Sequence, residues 1–277
     1  MRETNGKSIT TLCGELAQPL GLAVYPDHRS KCVPVAYLKG VNFFFFYSLN
    51  EESVASGFFS MLQQSRENII IATGSTLRTE NDLNRFFSST LKRLGVNVLD
   101  IFFVEYVSPS DDIGKIIDRG GVLDVLCGWQ RHGVIRYVGV TTHSRELALR
   151  LINDGRIDVL MHRFNMAHRR ATETVFPAAL EAGVPVVAFT ATRWQTLLRG
   201  HPKWRGAVPT APNCYQYCLR QPAVQIVLSA PTTLTQLREN LIVLMQGGIG
   251  SKSVMEWEAY GDLIYGDGKH SFETKWL

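Results

Sequence analysis

At 277 residues, 45% of them hydrophobic, the chain can bury a large core as one α/β barrel or as two smaller domains, of which one domain is preferred. Its formal charge of +4 comes from 29 basic and 25 acidic residues spread along the whole length, with no basic block to follow a phosphate backbone, which argues against nucleic-acid binding. The five cysteines (Cys13, Cys32, Cys127, Cys214 and Cys218) have no metal or redox spacing and predict a reducing, cytoplasmic setting, while the lack of any long apolar run predicts neither signal peptide nor membrane span.

Ser8 to Leu22 alternates polar and apolar residues around Gly14, which predicts a short N-terminal β-hairpin leading into a strand near Leu20–Tyr25. A helical segment containing Val33–Leu38 precedes the stretch Gly40–Ser48, whose aromatic run reads as a strand covered on both faces, as a parallel sheet requires. Its last residues, Phe45, Phe46 and Tyr47, are expected to point into the mouth of a barrel, where such folds keep their chemistry. A helix over Val54–Gln64 leads to a third strand at Asn68–Thr73. The stripe Leu83, Phe86, Phe87, Leu91, Leu94 then marks a helix over Glu80–Leu94, closed by Gly95.

Strand four spans Val98–Val107, and the alternation continues. A helix at Gly121–Arg131, a strand at Ile135–Val140 and a helix from Arg145 to Asn153 come next. Strand six is Asp158–Phe164, the helix Ala171–Glu181 is closed by Gly183, and strand seven is Val184–Phe189. The irregular stretch Thr192–Pro212, with Trp194 and Trp204, is a candidate lid. A helix at Asn213–Arg220 puts Cys214 and Cys218 on one face as a structural pair, with no partner residues to make a metal site. Strand eight is Val224–Leu228, and Leu234–Met245 is the last main helix. Eight strands alternating with eight helices make an α/β protein, a (β/α)8 TIM barrel forming one domain over residues 1–277.

Seven segments lie along that order: Gly-Val-Asn-Phe-Phe at 40–44, Thr-Leu-Lys-Arg-Leu-Gly at 90–95, Leu-Asp-Ile at 99–101, Gly-Val-Ile-Arg-Tyr-Val-Gly-Val at 133–140, Arg-Phe-Asn at 163–165 with His-Arg-Arg-Ala at 168–171, Gly-Val-Pro-Val-Val-Ala-Phe at 183–189 and Gln-Leu-Arg-Glu-Asn at 236–240. Over nearly its whole length the chain thereby resembles the aldo-keto reductase superfamily. The resemblance implies carbonyl reduction with NADPH: a Tyr donates the proton, Lys and Asp lower its pKa, and a His orients the carbonyl. On that pattern the Asp falls on Phe45, the Tyr on Asn50, the Lys on Gly74 and the His on Glu105, so the chain reads as a divergent member lacking the tetrad. Loss of even one member of such a unit commonly removes orders of magnitude in rate.

The same comparison puts the carboxamide ligands on Thr141, Thr142 and Met161. Phe189 falls where the family places an aromatic that stacks on nicotinamide, although a Phe ending a strand is otherwise plain core. Thr232, Gln236, Glu239 and Asn240 match positions that hold the 2'-phosphate and adenine; without a nucleotide, Thr232 or Thr233 caps the helix and the others are solvated surface.

A carboxylate at Glu105 inside an aromatic mouth is expected to be desolvated, with a raised pKa. It reads as a general acid or base, as an ion-pair partner of Arg163 or Arg193, or as a solvated group. Tyr47 and Tyr106 are candidate phenols for the same mouth, with rim packing as the alternative. Asp27, His28, His143 and His162 add ionisable groups, each otherwise a solvated or capped side chain, and Arg169 and Arg170 are expected to face solvent.

The expected function is a non-redox accessory protein of a small-molecule pathway, binding a metabolite or a partner enzyme and needing no cofactor. The alternatives are a non-redox isomerase, lyase or cyclase using Glu105 with Tyr47 or another mouth residue, and an atypical NADPH-dependent oxidoreductase.

Overall fold

The computed structural model describes residues 7–24, 31–46, 61–245 and 250–268. Within them eight parallel strands close into a barrel in chain order. They are β1 (Leu20–Val24), β2 (Phe43–Phe46), β3 (Ile70–Ser75), β4 (Leu99–Val107), β5 (Ile135–Thr142), β6 (Val159–Arg163), β7 (Val186–Phe189) and β8 (Val224–Ser229), with β8 paired to β1. The helices are α1 (Cys32–Leu38), α2 (61–65 within the described residues), α3 (Glu80–Leu94), α4 (Gly114–Ile117), α5 (Val122–Arg131), α6 (Arg145–Asp154), α7 (Val175–Glu181), α8 (Ala211–Leu219), α9 (Leu234–Asn240) and α10 (Ser251–Tyr265). No described helix is long and apolar enough to cross a membrane.

Successive strand residues point to opposite faces, and the chain uses both faces for burial. Phe43, Phe45, Ile70, Ala72, Ile101, Phe103, Val159, Met161 and Val187 fill the barrel interior. Their neighbours Phe44, Phe46, Ile71, Phe102, Val104, Leu160 and Val186 pack outward under the helices. The four phenylalanines of β2 are all buried, as the aromatic run predicts, but only Phe45 of its last two faces inward. Phe46 turns to the helix layer, and Tyr47 lies outside the described residues.

The hairpin closes the end of the barrel where the strands begin. Ala17 N–H donates to Ile9 O at 2.9 Å and Thr11 N–H to Glu15 O at 2.8 Å, and Ile9 is wholly buried in the interior cluster. A charged clasp sits at the same end. Asp100, with no exposed surface, accepts from Ile71 N–H at 2.8 Å and pairs with Arg66 at 2.9 Å and Arg136 at 2.8 Å; Arg136 also donates to Thr10 O at 2.6 Å. One carboxylate thus ties β3, β4, β5 and the hairpin together.

Elsewhere the helices differ from the sequence reading in four places, the first being the short α4, which that reading lacks. Residues 171–181 divide into a 3-10 turn at Arg170–Thr172 and α7, and the helix expected to reach Met245 ends at Asn240 before a 3-10 turn at Leu241–Leu244. More importantly, α10 follows the segment expected to be the last main helix. It carries Gly261 in its middle, a residue that weakens a helix pattern, because a β-carbon there would collide with the Met166 carbonyl. Backbone-to-backbone contact takes the place of a strong apolar stripe. The segment read as a lid packs on this helix: Trp204 lies 5.3 Å from Tyr260, whose hydroxyl donates to Leu197 O at 2.9 Å.

Candidate functional site

The C-terminal ends of the strands define the mouth, and Glu105 stands there, third from the end of β4. Alternation from Ile101 and Phe103 directs it inward. Just past it the β4–β5 register shifts between Val104 and Val107, and Tyr106 adopts a left-handed conformation at φ 51°. A bulge at this point re-aims the end of the strand. Arg78 braces the turn without touching the carboxylate, donating to Glu105 O at 2.8 Å and to Asp111 Oδ1 at 3.0 Å.

The carboxylate itself is 6% exposed, and its Oε1 has no hydrogen-bond partner among the described residues. Burial pushes its pKa up from 4.5 to about 8, with the Arg78 charge opposing only in part. Near neutral pH Glu105 is therefore mostly a carboxylic acid that can donate a hydrogen bond. Of its three sequence-based readings, the ion pair is not formed: no described residue makes one with Glu105, and buried Arg193 donates to Ile264 O instead.

Glu105 and Gly74 occupy one another's space. A β-carbon at residue 74 would lie 2.5 Å from Glu105 Cγ, 2.5 Å from the Phe103 carbonyl oxygen and 2.8 Å from Phe103 Cβ. No side chain fits there without movement of the strand. Gly74→Ala is expected to destabilise the protein by about 1–3 kcal/mol through overpacking, read from the urea midpoint; an unchanged midpoint would mean that this wall yields freely.

On the neighbouring strand Thr141 is 2% exposed, and its Oγ1 also lacks a partner among the described residues. Thr142 does a different job, donating to Val107 O at 2.6 Å to hold β5 against β4. Phe45 meets Phe103 edge-on at 5.8 Å, so the wall is aromatic. Phe189 is 5% exposed and stands edge-on to His143 at 5.0 Å. The mouth therefore combines the Glu105 acid, the unpartnered Thr141 hydroxyl and an apolar lining. Among the described residues no cluster of His, Cys, Asp and Glu could hold a metal.

The sequence profile described as the aldo/keto reductase family matches residues 22–205. The chain belongs to the aldo/keto reductase family. No curated protein matches it. Among solved structures it is similar to an aldo-keto reductase from Bacillus halodurans in its holo form, with a TM-score of 0.75, 18% identity and coverage of 92% of this chain and 96% of that one. It is likewise similar to the aldose reductase from Schistosoma japonicum, with a TM-score of 0.69 at 16% identity and 91% coverage of both chains. A putative aldo-keto reductase from Pseudomonas aeruginosa gives a TM-score of 0.67 at 18% identity, covering 87% of this chain and 95% of that one. At these identities the likeness concerns the barrel.

Within this aldo/keto reductase barrel, three of the four residues matched to the 2'-phosphate and adenine are bonded within the protein. Gln236 Oε1 accepts from Thr232 N–H at 2.7 Å and from the Thr232 hydroxyl at 2.8 Å, while Thr233 caps α9. Asn240 is 5% exposed and donates to Ser229 Oγ at 2.9 Å, holding the end of β8. Glu239 is exposed, and Met161 is buried in the barrel interior.

Several side chains judged singly from sequence have other surroundings. His162 is buried rather than solvated, His143 packs between Tyr106 and Phe189, and Arg169 bonds to Met166 O, Glu258 O and Asp262. Cys214 and Cys218 are both buried, with Cys218 donating to Phe164 O at 3.2 Å, a packing role that their spacing predicts. Asp27, His28 and Asn50 lie outside the described residues.

Proposed function

We propose that this aldo/keto reductase barrel has lost hydride transfer and serves as a non-redox accessory protein, binding a small metabolite in its mouth beside a partner enzyme. The observation that carries this reading is the Gly74–Glu105 contact. Hydride arriving at a carbonyl carbon leaves an alkoxide, which needs a proton and a cationic surrounding. In this mouth the position matched to the cation has no side chain, and the acid's own stem fills the space. If Glu105 ionised there, it would add a negative charge beside the nascent alkoxide and raise the barrier.

As arranged, the matched residues do not fit a nicotinamide dinucleotide. Gln236 and Asn240 are held by Thr232 and Ser229, and Met161 offers no amide. What the mouth does fit is a ligand oxygen: the Glu105 acid and the Thr141 hydroxyl are buried donors left open. The test is a fluorescence titration with NADPH, followed by absorbance assays of the reduced cofactor against a panel of aldehydes and ketones. We expect neither quenching at millimolar cofactor nor turnover. Steady oxidation of the cofactor with any carbonyl overturns the proposal in favour of an atypical reductase. A partner enzyme is sought by copurification, and omission of the protein is expected to change a pathway product.

A second reading is favoured by the raised pKa of Glu105, at about 8. An acid poised near neutral pH suits general acid–base catalysis without hydride, as in an isomerase, lyase or cyclase. For such an enzyme Glu105→Gln abolishes turnover while leaving the barrel folded, and an unchanged rate excludes the role.

A further inference from the structure

A cavity of about 600 Å³ lies among the ends of β5 and β6, the segment 167–173, the end of α8 and helix α10. His143 lines it and also touches Phe189, so cavity and mouth share a wall. Their chemistries are opposite. Five arginines from four separate segments line the cavity against three acids. Each acid already has a partner: Glu173 pairs with Arg145 at 3.3 Å, Asp262 with Arg169 at 2.8 Å, and Glu258 accepts from Tyr217 at 2.9 Å. The lining is net positive, with Arg170 at the exposed rim and Arg163 at the end of β6.

The second observation is His162. It is 2% exposed, lines the cavity, and its Nδ1 has no hydrogen-bond partner among the described residues. Its ring bonds to the Thr142 backbone in the sense that raises its proton affinity, which means the ring donates there. Burial, aided by the Arg163 guanidinium, still holds His162 down to about 4, so the imidazole is neutral. With the proton engaged toward Thr142, Nδ1 is a buried acceptor that needs a donor. The cavity thus asks for negative charge on one side and a hydroxyl on the other.

We propose that this cavity binds a small hydroxylated anion, one oxyanion group of the phosphate or carboxylate class facing Arg163 and Arg170 and a neighbouring hydroxyl donating to His162 Nδ1. The site stands apart from the reading of the mouth, since neither Glu105 nor Thr141 lines this cavity. Shape alone does not choose between phosphate and carboxylate, and the experiment does.

Isothermal titration of the full chain at low salt uses two matched pairs, glycerol 3-phosphate against propyl phosphate and malate against succinate. In one pair the hydroxylated member is expected to bind at least about tenfold more tightly, and that pair names the class. Arg170→Gln, a rim change that leaves the fold intact, is expected to weaken binding by about tenfold. His162→Phe is expected to remove the preference for the hydroxyl. Nitrogen NMR of labelled histidine locates the ligand independently, because the His162 Nδ1 signal shifts on binding even if the Phe variant fails to fold. Failure of all four probes to titrate at millimolar concentration overturns the proposal. So does binding that leaves the His162 signal unmoved, or that Arg170→Gln does not weaken.

Discussion

Glu105→Gln is expected to stabilise the protein in mild alkali by about 3–5 kcal/mol and to remove the Glu105 contribution to the pH dependence of stability between pH 4.5 and 8. In the native chain burial holds the Glu105 pKa near 8, against 4.5 for a free side chain. Between those values the unfolded chain gives up the proton and the folded chain keeps it. At this group the folded state binds more protons, so its contribution to stability falls as pH rises and levels off once Glu105 ionises in both states; the buried His143, His162 and His168, whose pKa values burial lowers, contribute with the opposite sign below pH 6.5 in both proteins. Gln keeps the shape of the acid and never ionises, which removes that contribution and leaves the difference between the two curves to report it. Urea midpoints for both proteins from pH 4 to 9 decide the matter. Parallel curves would mean that Glu105 ionises normally, and the neutral acid at the centre of both functional readings would be gone.

Asp100→Asn is expected to destabilise the fold by about 3–5 kcal/mol, the range for breaking a buried ion pair from one side. The carboxylate faces Arg66, Arg136 and the Ile71 N–H with no exposed surface. An amide there leaves the paired guanidinium groups short of charge and points its own N–H groups at other donors. Because Arg136 also holds Thr10 O, the hairpin should loosen with it. Chemical denaturation gives the loss, and faster hydrogen exchange at Thr11 and Ala17 gives its location. A loss below about 1 kcal/mol would show that the clasp is replaceable.

The barrel was legible because its strands leave a two-sided apolar signature and its helices a one-sided stripe. Leu83, Phe87 and Leu94 of α3 are buried as that stripe requires, and Gly95 ends the helix at φ 63°. Helix α10 was not legible, because its fit rests on the missing side chain of Gly261 against the Met166 carbonyl, which no periodicity encodes. Glu105 could be singled out through the family resemblance, yet its contact with Gly74 depends on the registration of two strands. The cavity around His162 lay beyond sequence reading for a different reason. Its arginines and acids come from residues 145 to 262 and look like separate solvated charges until the chain closes.

The Asp100 clasp grips the barrel at its foot, whereas Glu105 and Gly74 stand at its rim, a strand length away. Substitutions at the rim therefore leave the bonds of the clasp in place, even where, as at Gly74, crowding makes them costly. Kinship read from the footings, such as Leu99–Ile101, certifies how the walls were raised and is silent on what is done upstairs.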